Sequence, residues 1–236
     1  IFNAHIIRYV GDEKVSAIQT ANTLYETDYV IEAIGVTPNT DFLVGSGIEI
    51  NDNATIQVDA QMRTTVQHIY AAGDCAMHYH RIKKQADYIP LGTTANKQGR
   101  IAGLNMAGHS EEFAGIVGTS LLKFFNLTIG KTGINEKEAK KLQKNYEYVT
   151  RVASNVSSYY PDGEDMYIKM IWEKETKKIA GVQIVGGAGV DKRIDVAAVA
   201  LFHEMTLRDL IDLDIAYAPP YNGVWDPLLS MAKRQL

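Results

Sequence analysis

The sequence predicts an α/β region followed by an α+β unit built on an antiparallel sheet. Three observations carry that expectation. A short apolar segment, residues 68–72, ends in Gly73-Asp74 and leads into a stretch rich in small residues with helical character. That order is the one in which a buried strand delivers a polar residue to the ligand edge of a sheet. Beyond residue 135 the pattern runs one charged helix, three apolar strands and then helices, an α+β arrangement. Between the two, residues 115–118 mark a change of character, and a domain boundary is placed there.

Each element follows from local chemistry. Residues 6–10 are apolar and β-rich, Gly11-Asp12 makes a turn, and residues 15–21 alternate, which predicts two paired strands. Residues 28–34 (DYVIEAI) predict a third strand with one charged break, ending at Gly35. Gly35-Val36-Thr37-Pro38-Asn39 follows as a turn, where glycine permits unusual torsions and proline fixes one. Residues 41–44 suit a short helical turn, and residues 48–50 and 56–58 bracket the turn Asn51-Asp52-Asn53. Residues 92–107 predict a helix with Thr93 or Thr94 near its N-cap and small residues that allow close approach to another surface. Residues 135–146 predict a charged helix capped by Asn135, with Glu136 and Glu138 at its positive end. Strands are expected at 146–153, 166–172 and 179–185, the last pair joined by a turn at 174–178. A helix over 191–204 and a short one capped by Thr206 complete the chain, with Ala218-Pro219-Pro220 as a stop.

Composition narrows the partners. The 236 residues are 46% hydrophobic and 22% charged, ordinary globular usage, and the net charge of −4 argues against a nucleic-acid or anionic-membrane surface. No apolar run approaches the roughly 18 residues of a membrane span. Cys75 is the only cysteine, which rules out an intrachain disulfide and a multi-cysteine metal site and fits a reducing cytoplasm. The six histidines form no HExxH helix, and His78-x-His80 reads as a surface loop pair after a strand. The start lacks both an initiator Met and a signal-peptide layout, so the chain is expected to be a piece of a longer one. A small metabolite or cofactor is the partner this composition suits.

The most informative stretch is residues 65–74, TVQHIYAAGD. Gly73 has no Cβ, so the backbone can lie against a bulky ligand, and the acceptor-only carboxylate of Asp74 suits ribose or ribityl hydroxyls. Taken alone, Asp74 equally suits a strand-end cap of the following turn. Its neighbours separate the two readings. The T-x(4)-h-Y-A-x-G-D pattern resembles the second FAD fingerprint of the two-dinucleotide-binding-domain flavoproteins. Residues 29–39, YVIEAIGVTPN, resemble the same family's strand and G-x-x-P crossover, in the family's order and spacing. Residues 90–100, PLGTTANKQGR, resemble the helix whose N-terminus faces the flavin ring. Unpaired N–H groups at such an end stabilise negative charge on a reduced flavin.

The rest of the chain resembles the interface (dimerisation) domain of the pyridine nucleotide-disulphide oxidoreductases, through Gly118-Thr119-Ser120, Thr132-Gly133, Ile179-x-Gly181-Val182-Gln183 and Asp191-Lys192-Arg193-Ile194-Asp195. Tyr217-Ala218-Pro219-Pro220 is similar to the YAPP signature of the NADH oxidase, NADH peroxidase and coenzyme A-disulfide reductase branch. The apoptosis-inducing-factor and ferredoxin-reductase branch shares the G-x-x-P and G-D segments, but the YAPP stretch and the DKRID helix speak against it. The resemblance implies FAD as cofactor, NAD(P)H as electron donor, a homodimer through the C-terminal domain and a small-molecule disulfide, peroxide or oxygen as acceptor. It implies FAD contacts from Gly35, Pro38, Gly73, Asp74, Leu91, Gly92, Thr93 and Thr94. It divides the chain into residues 1–34, a remnant of the NAD(P)H-binding domain, 35–116, the C-terminal part of the FAD-binding domain, and 117–236, the dimerisation domain.

Two departures matter. The His-Pro-Thr…Glu acid/base pair of the glutathione reductase-like members is replaced here by Ala218-Pro219-Pro220, and the adjacent His203-Glu204 diverge by about 100° on a helix and read as surface. The resemblance instead implies tyrosines as proton donors toward the partner subunit: Tyr217, with Tyr159 or Tyr160. Aromatic interface packing is the alternative for each. Residues 185–192 imitate a glycine-rich dinucleotide loop, but Lys192 stands where the third glycine belongs, and dinucleotide binding there is rejected. Cys75 reads as structural, because the family's redox cysteine belongs to a region preceding this sequence. Neither of the family's GxGxxG loops occurs in these residues. The chain by itself is therefore expected to bind FAD poorly and not to turn over, and a non-catalytic dimerisation or interaction piece is the competing reading.

Overall fold

The computed structural model describes residue 1 and residues 3–236, and the chain divides into two units, Ile1–Thr37 and Pro38–Leu236. The first holds an antiparallel meander of β1 (Ile6–Gly11), β2 (Val15–Thr20) and β3 (Leu24–Glu26). The strand expected at 28–34 does not form. Tyr29, Ile31 and Ile34 are almost fully exposed, and no described residue supplies a ladder to this segment. The reason is physical: a strand is completed by lateral hydrogen bonds, and β-propensity alone leaves its backbone hydrated.

The second unit opens with a single 3₁₀ turn, Asp41–Leu43, and an isolated bridge between Ile50 and Ile56 around the expected turn. The strand expected at 68–72 is reduced to one bridge, Arg63 with Tyr70. His68 sits at φ 66, in the left-handed region, which interrupts an extended run. A small hairpin of β4 (His78–His80) and β5 (Gln85–Asp87) precedes α1 (Gly92–Met106). The N-cap of α1 is Leu91, not Thr93 or Thr94, and its side chain makes no capping bond.

The C-terminal sheet has five antiparallel strands where three were expected. Its order is β6 (Ser120–Phe124), β7 (Leu127–Gly133), β10 (Ile179–Gly186), β9 (Asp165–Glu173) and β8 (Tyr146–Ser154). The sequence conceals β7 because it carries Gly130 and Gly133, residues that weaken a strand. The structure explains Gly130: a Cβ there would lie 2.5 Å from Cγ1 of Ile194. The glycine lets the helix α3 (Val190–Phe202) lie directly on the sheet.

Met166, Ile168 and Met170 of β9 alternate toward that helix, with Val182 and Ile184 of β10 beside them. Leu207, Leu210, Leu228 and Met231, from α4 (Leu207–Ile211) and α5 (Pro227–Lys233), complete this core. Between β7 and β8, α2 (Glu136–Lys141) is shorter than expected and begins as predicted. The Asn135 side chain accepts from Glu138 N, and the Glu138 carboxylate accepts from Asn135 N, both at 2.9 Å. Such a capping box satisfies two otherwise unpaired donors. Among the described residues no helix is long and apolar enough to cross a membrane.

Candidate functional site

The Gly73-Asp74 turn is fastened to α1 by one buried side chain from the helix's second turn. Gln98 is fully buried; its Oε1 accepts from Gly73 N at 3.0 Å and its Nε2 donates to Met77 O at 3.1 Å. Gly73 takes φ 92, and a Cβ there would meet Cβ of Ala95 at 3.7 Å. The Tyr88 hydroxyl donates to Asp74 O at 2.9 Å. With its backbone thus held, the Asp74 carboxylate is exposed and accepts no hydrogen bond among the described residues. Beside it, Gly92 and Thr93 stand exposed in the first turn of an uncapped helix, whose first N–H groups lack intrahelical acceptors.

A free carboxylate, a glycine in the left-handed region and a bare helix N-terminus therefore sit together. They suit a ligand that carries hydroxyls and an electron-rich edge. Thr94 is buried beneath this surface, one helical turn before Gln98. Pro38 opens the second unit, its carbonyl accepting from Thr40 N at 3.2 Å. Gly35 belongs to the first unit, at φ 102 with open space around it.

Sequence reading passed over Gln98. Its signal was its spacing: Thr94, Gln98, Ile101, Ala102 and Asn105 share the buried face of α1. Gln98→Ala is expected to leave Gly73 N–H and Met77 C=O unpaired, lowering stability by about 1–3 kcal/mol in urea unfolding. An unchanged midpoint would show that the turn holds without it.

Two further expectations change. His78 and His80 are not a surface loop pair; both are buried, in β4. His80 Nδ1 accepts from Ile82 N at 3.2 Å and Lys83 N at 3.3 Å, and His78 Nε2 accepts from Ile89 N at 2.9 Å. Burial, with the Lys83 ammonium nearby, pushes the His80 imidazole down to about 4. The unfolded chain takes up this proton below about pH 6.5 and the folded chain only near 4. Stability from this group is thus whole above pH 6.5 and falls as the pH drops toward 4. His80→Asn keeps an acceptor but cannot titrate, and a flatter urea midpoint against pH across that window is the expected result. Among the described residues no cluster of three or more metal-ligating side chains occurs. Cys75 is half-buried, its thiol against Ala72 O at 3.5 Å.

The C-terminal unit brings two of the three candidate tyrosines together. The hydroxyls of Tyr159 and Tyr217 lie 3.1 Å apart, on side chains 72% and 46% exposed. Their hydrogen bond raises the Tyr159 hydroxyl above the usual phenol range. Tyr160 makes no side-chain hydrogen bond among the described residues, and its backbone N–H donates to Ser157 O at 2.9 Å. His203 and Glu204 are exposed, as read, with Glu204 paired to Lys178 at 2.7 Å.

The imitation glycine loop has its own explanation. Gly189, at φ 83, is the N-cap of α3, and its carbonyl accepts from Arg193 Nη1 at 3.0 Å. A Cβ there would stand 2.6 Å from that nitrogen. The glycine serves a buried arginine.

Known proteins resemble this chain in both sequence and structure. Residues 1–99 match the family described as pyridine nucleotide-disulphide oxidoreductase, and residues 119–228 match its dimerisation domain. The chain is 40% identical over 223 residues to an NAD(P)H sulfur oxidoreductase (CoA-dependent) of Pyrococcus furiosus, covering 94% of this chain and 50% of that protein. It is 30% identical to a coenzyme A disulfide reductase of Staphylococcus epidermidis, over 92% of this chain and 50% of that one. The solved NAD-dependent persulfide reductase from A. fulgidus superposes with a TM-score of 0.93 at 34% identity, covering 98% of this chain and 43% of that one. The chain spans about half the length of the curated relatives it matches.

Proposed function

The chain belongs to the pyridine nucleotide-disulphide oxidoreductase family, and from that premise we propose that it serves an FAD-dependent NAD(P)H oxidoreductase acting on a cysteine-based sulfur centre. The observation that carries this reading is the unpartnered Asp74 carboxylate held beside the uncapped start of α1. When bound, FAD supplies two-electron transfer between NAD(P)H and that centre. Asp74 would accept from hydroxyls of the cofactor, Gly73 would leave room for it to approach the backbone, and the N–H groups of Leu91, Gly92, Thr93 and Thr94 would favour its electron-rich edge. Pro38 fixes a backbone torsion where the second unit opens. Residues 1–34 belong with NAD(P)H binding, 35–116 with FAD binding and 117–236 with dimerisation.

Tyr159 and Tyr217 act as one proton-donating unit toward the partner subunit of a homodimer. A phenol that stays protonated at neutral pH can give its proton to a departing thiolate, and the neighbouring hydroxyl orients it. The sulfur and coenzyme A chemistry named for these relatives supports a disulfide or persulfide as the acceptor.

FAD titrated into the chain and followed by flavin fluorescence is expected to bind weakly and saturably. Asp74→Ala removes a charge-assisted hydrogen bond and should weaken binding about tenfold or more. The Cys75→Ser variant should bind as the parent does. A titration without saturation would favour a non-catalytic dimerisation module. In the complete oxidoreductase, Tyr217→Phe should lower turnover by about 10²-fold.

A further inference from the structure

We infer that Asn222, backed by the buried Arg193–Asp226 pair, is a positioning residue that sets Tyr159 and Tyr217 at hydrogen-bonding distance; this rests on the reading of those tyrosines as one proton-donating unit.

The two tyrosines come from separate loops, and both rings are largely solvent-facing. Their only side-chain bond to one another is the 3.1 Å contact, so their geometry has to come from the backbone that carries them. That backbone is tied to one hub. Asn222 is 1% exposed and uses every polar group it has. Its Oδ1 accepts from Arg193 Nη2 at 2.9 Å, and its Nδ2 donates to Asp226 Oδ2 at 2.9 Å and to Ala216 O at 3.4 Å. Its own N–H donates to Ala218 O at 3.0 Å, so the residues on both sides of Tyr217 are held from one side chain and one amide.

The same hub reaches the other loop. Ser157 Oγ donates to Asn222 O at 2.8 Å, and Ser157 N donates to Pro219 O at 3.0 Å. Ser157 is buried and lies two residues before Tyr159. Arg193 Nη2 also donates to Asn155 O at 3.3 Å, and its Nε donates to Asp226 Oδ2 at 2.9 Å. One guanidinium thus spans α3, the Tyr159 loop and the segment following Tyr217. A buried, fully satisfied network of this kind holds one arrangement because every alternative leaves a polar group unpaired. Two exposed phenols on independent loops would otherwise sample many separations.

The test reads the tyrosine pair itself. The chain is labelled with ¹³Cζ-tyrosine, and the two resonances are assigned from Tyr159→Phe and Tyr217→Phe. In the parent, each substitution is expected to shift the other tyrosine's resonance, and Tyr217→Phe is expected to lower the Tyr159 titration midpoint. In Asn222→Ala that mutual response should be lost while the β9 and β10 amide signals stay in place. A residue needed only for stability would lower the unfolding midpoint and leave the response intact. Retention of the full response in folded Asn222→Ala overturns the inference, and so does its absence from the parent. Ser157→Ala cuts a single link and keeps the hub, so it serves if Asn222→Ala does not fold. A weakened response supports the inference and an unaltered one overturns it. The functional reading fails separately, if Tyr217→Phe leaves turnover of the complete oxidoreductase unchanged while the tyrosine response behaves as expected.

Discussion

Asp226→Ala is expected to destabilise the chain by about 3–5 kcal/mol, among the largest losses any single side chain here can produce. Arg193 and Asp226 are 1% and 3% exposed, and their Nε–Oδ2 bond is 2.9 Å. Truncating the carboxylate leaves the guanidinium charged, dry and short of its ionic partner. Asp226 also caps α5, its Oδ1 accepting from Leu228 N at 2.8 Å, and losing such a cap alone costs about 1 kcal/mol. Urea unfolding followed by the fluorescence of buried Trp172 and half-exposed Trp225 is the measurement. Replacing both members, Arg193→Met with Asp226→Leu, should cost far less than Asp226→Ala, because a buried pair is expensive mainly when broken. Equal losses in the single and double variants would mean that the hydrogen bonds to Asn222 and Asn155 matter more than the charges.

Gly181→Ala is expected to be nearly as damaging, at about 3 kcal/mol, by overpacking. Gly181 of β10 pairs with Gly133 of β7, and neither position has room for a Cβ. A Cβ on Gly181 would overlap the Ile134 carbonyl oxygen and stand 3.0 Å from its carbon, which is main chain and cannot swing aside. One on Gly133 would overlap the Ala180 carbonyl, on a residue already at φ 72. Gly99→Ala is the control. Gly99 is exposed in α1 with nothing within 4 Å of the new methyl, and the substitution should stabilise by about 0.5–1 kcal/mol through the unfolded state. A Gly181→Ala protein as stable as the parent would mean that β7 and β10 can part without loss.

These two sites also show how far one sequence can be read. Gly181 stood inside a recognisable motif, yet its partner Gly133 lies in a strand that the same sequence concealed. Glycine lowers the local strand signal at the very place where close packing requires it. The caps at Asn135 and Thr206 were legible because a cap is a bond between near neighbours, three residues apart. The segment at 28–34 misled for the opposite reason. It has a strand's residues, but a strand is made by its neighbour, and none of the described residues pairs with it.

The sequence by itself determined the order of α/β region and α+β unit, the helices α1 and α3, and the Gly73-Asp74 turn. All of these rest on local torsional preference, periodic burial or short spacing. Only the tertiary structure decided that Gln98 clamps the turn bearing Asp74, and that His78 and His80 are buried acceptors. It alone decided that Tyr159, not Tyr160, meets Tyr217, and that Arg193 joins residues 155, 222 and 226. The physical reason is shared: each is a hydrogen bond that, save the local ones of His80 to residues 82 and 83, joins chain-distant groups. Its worth depends on burial that no window of sequence contains.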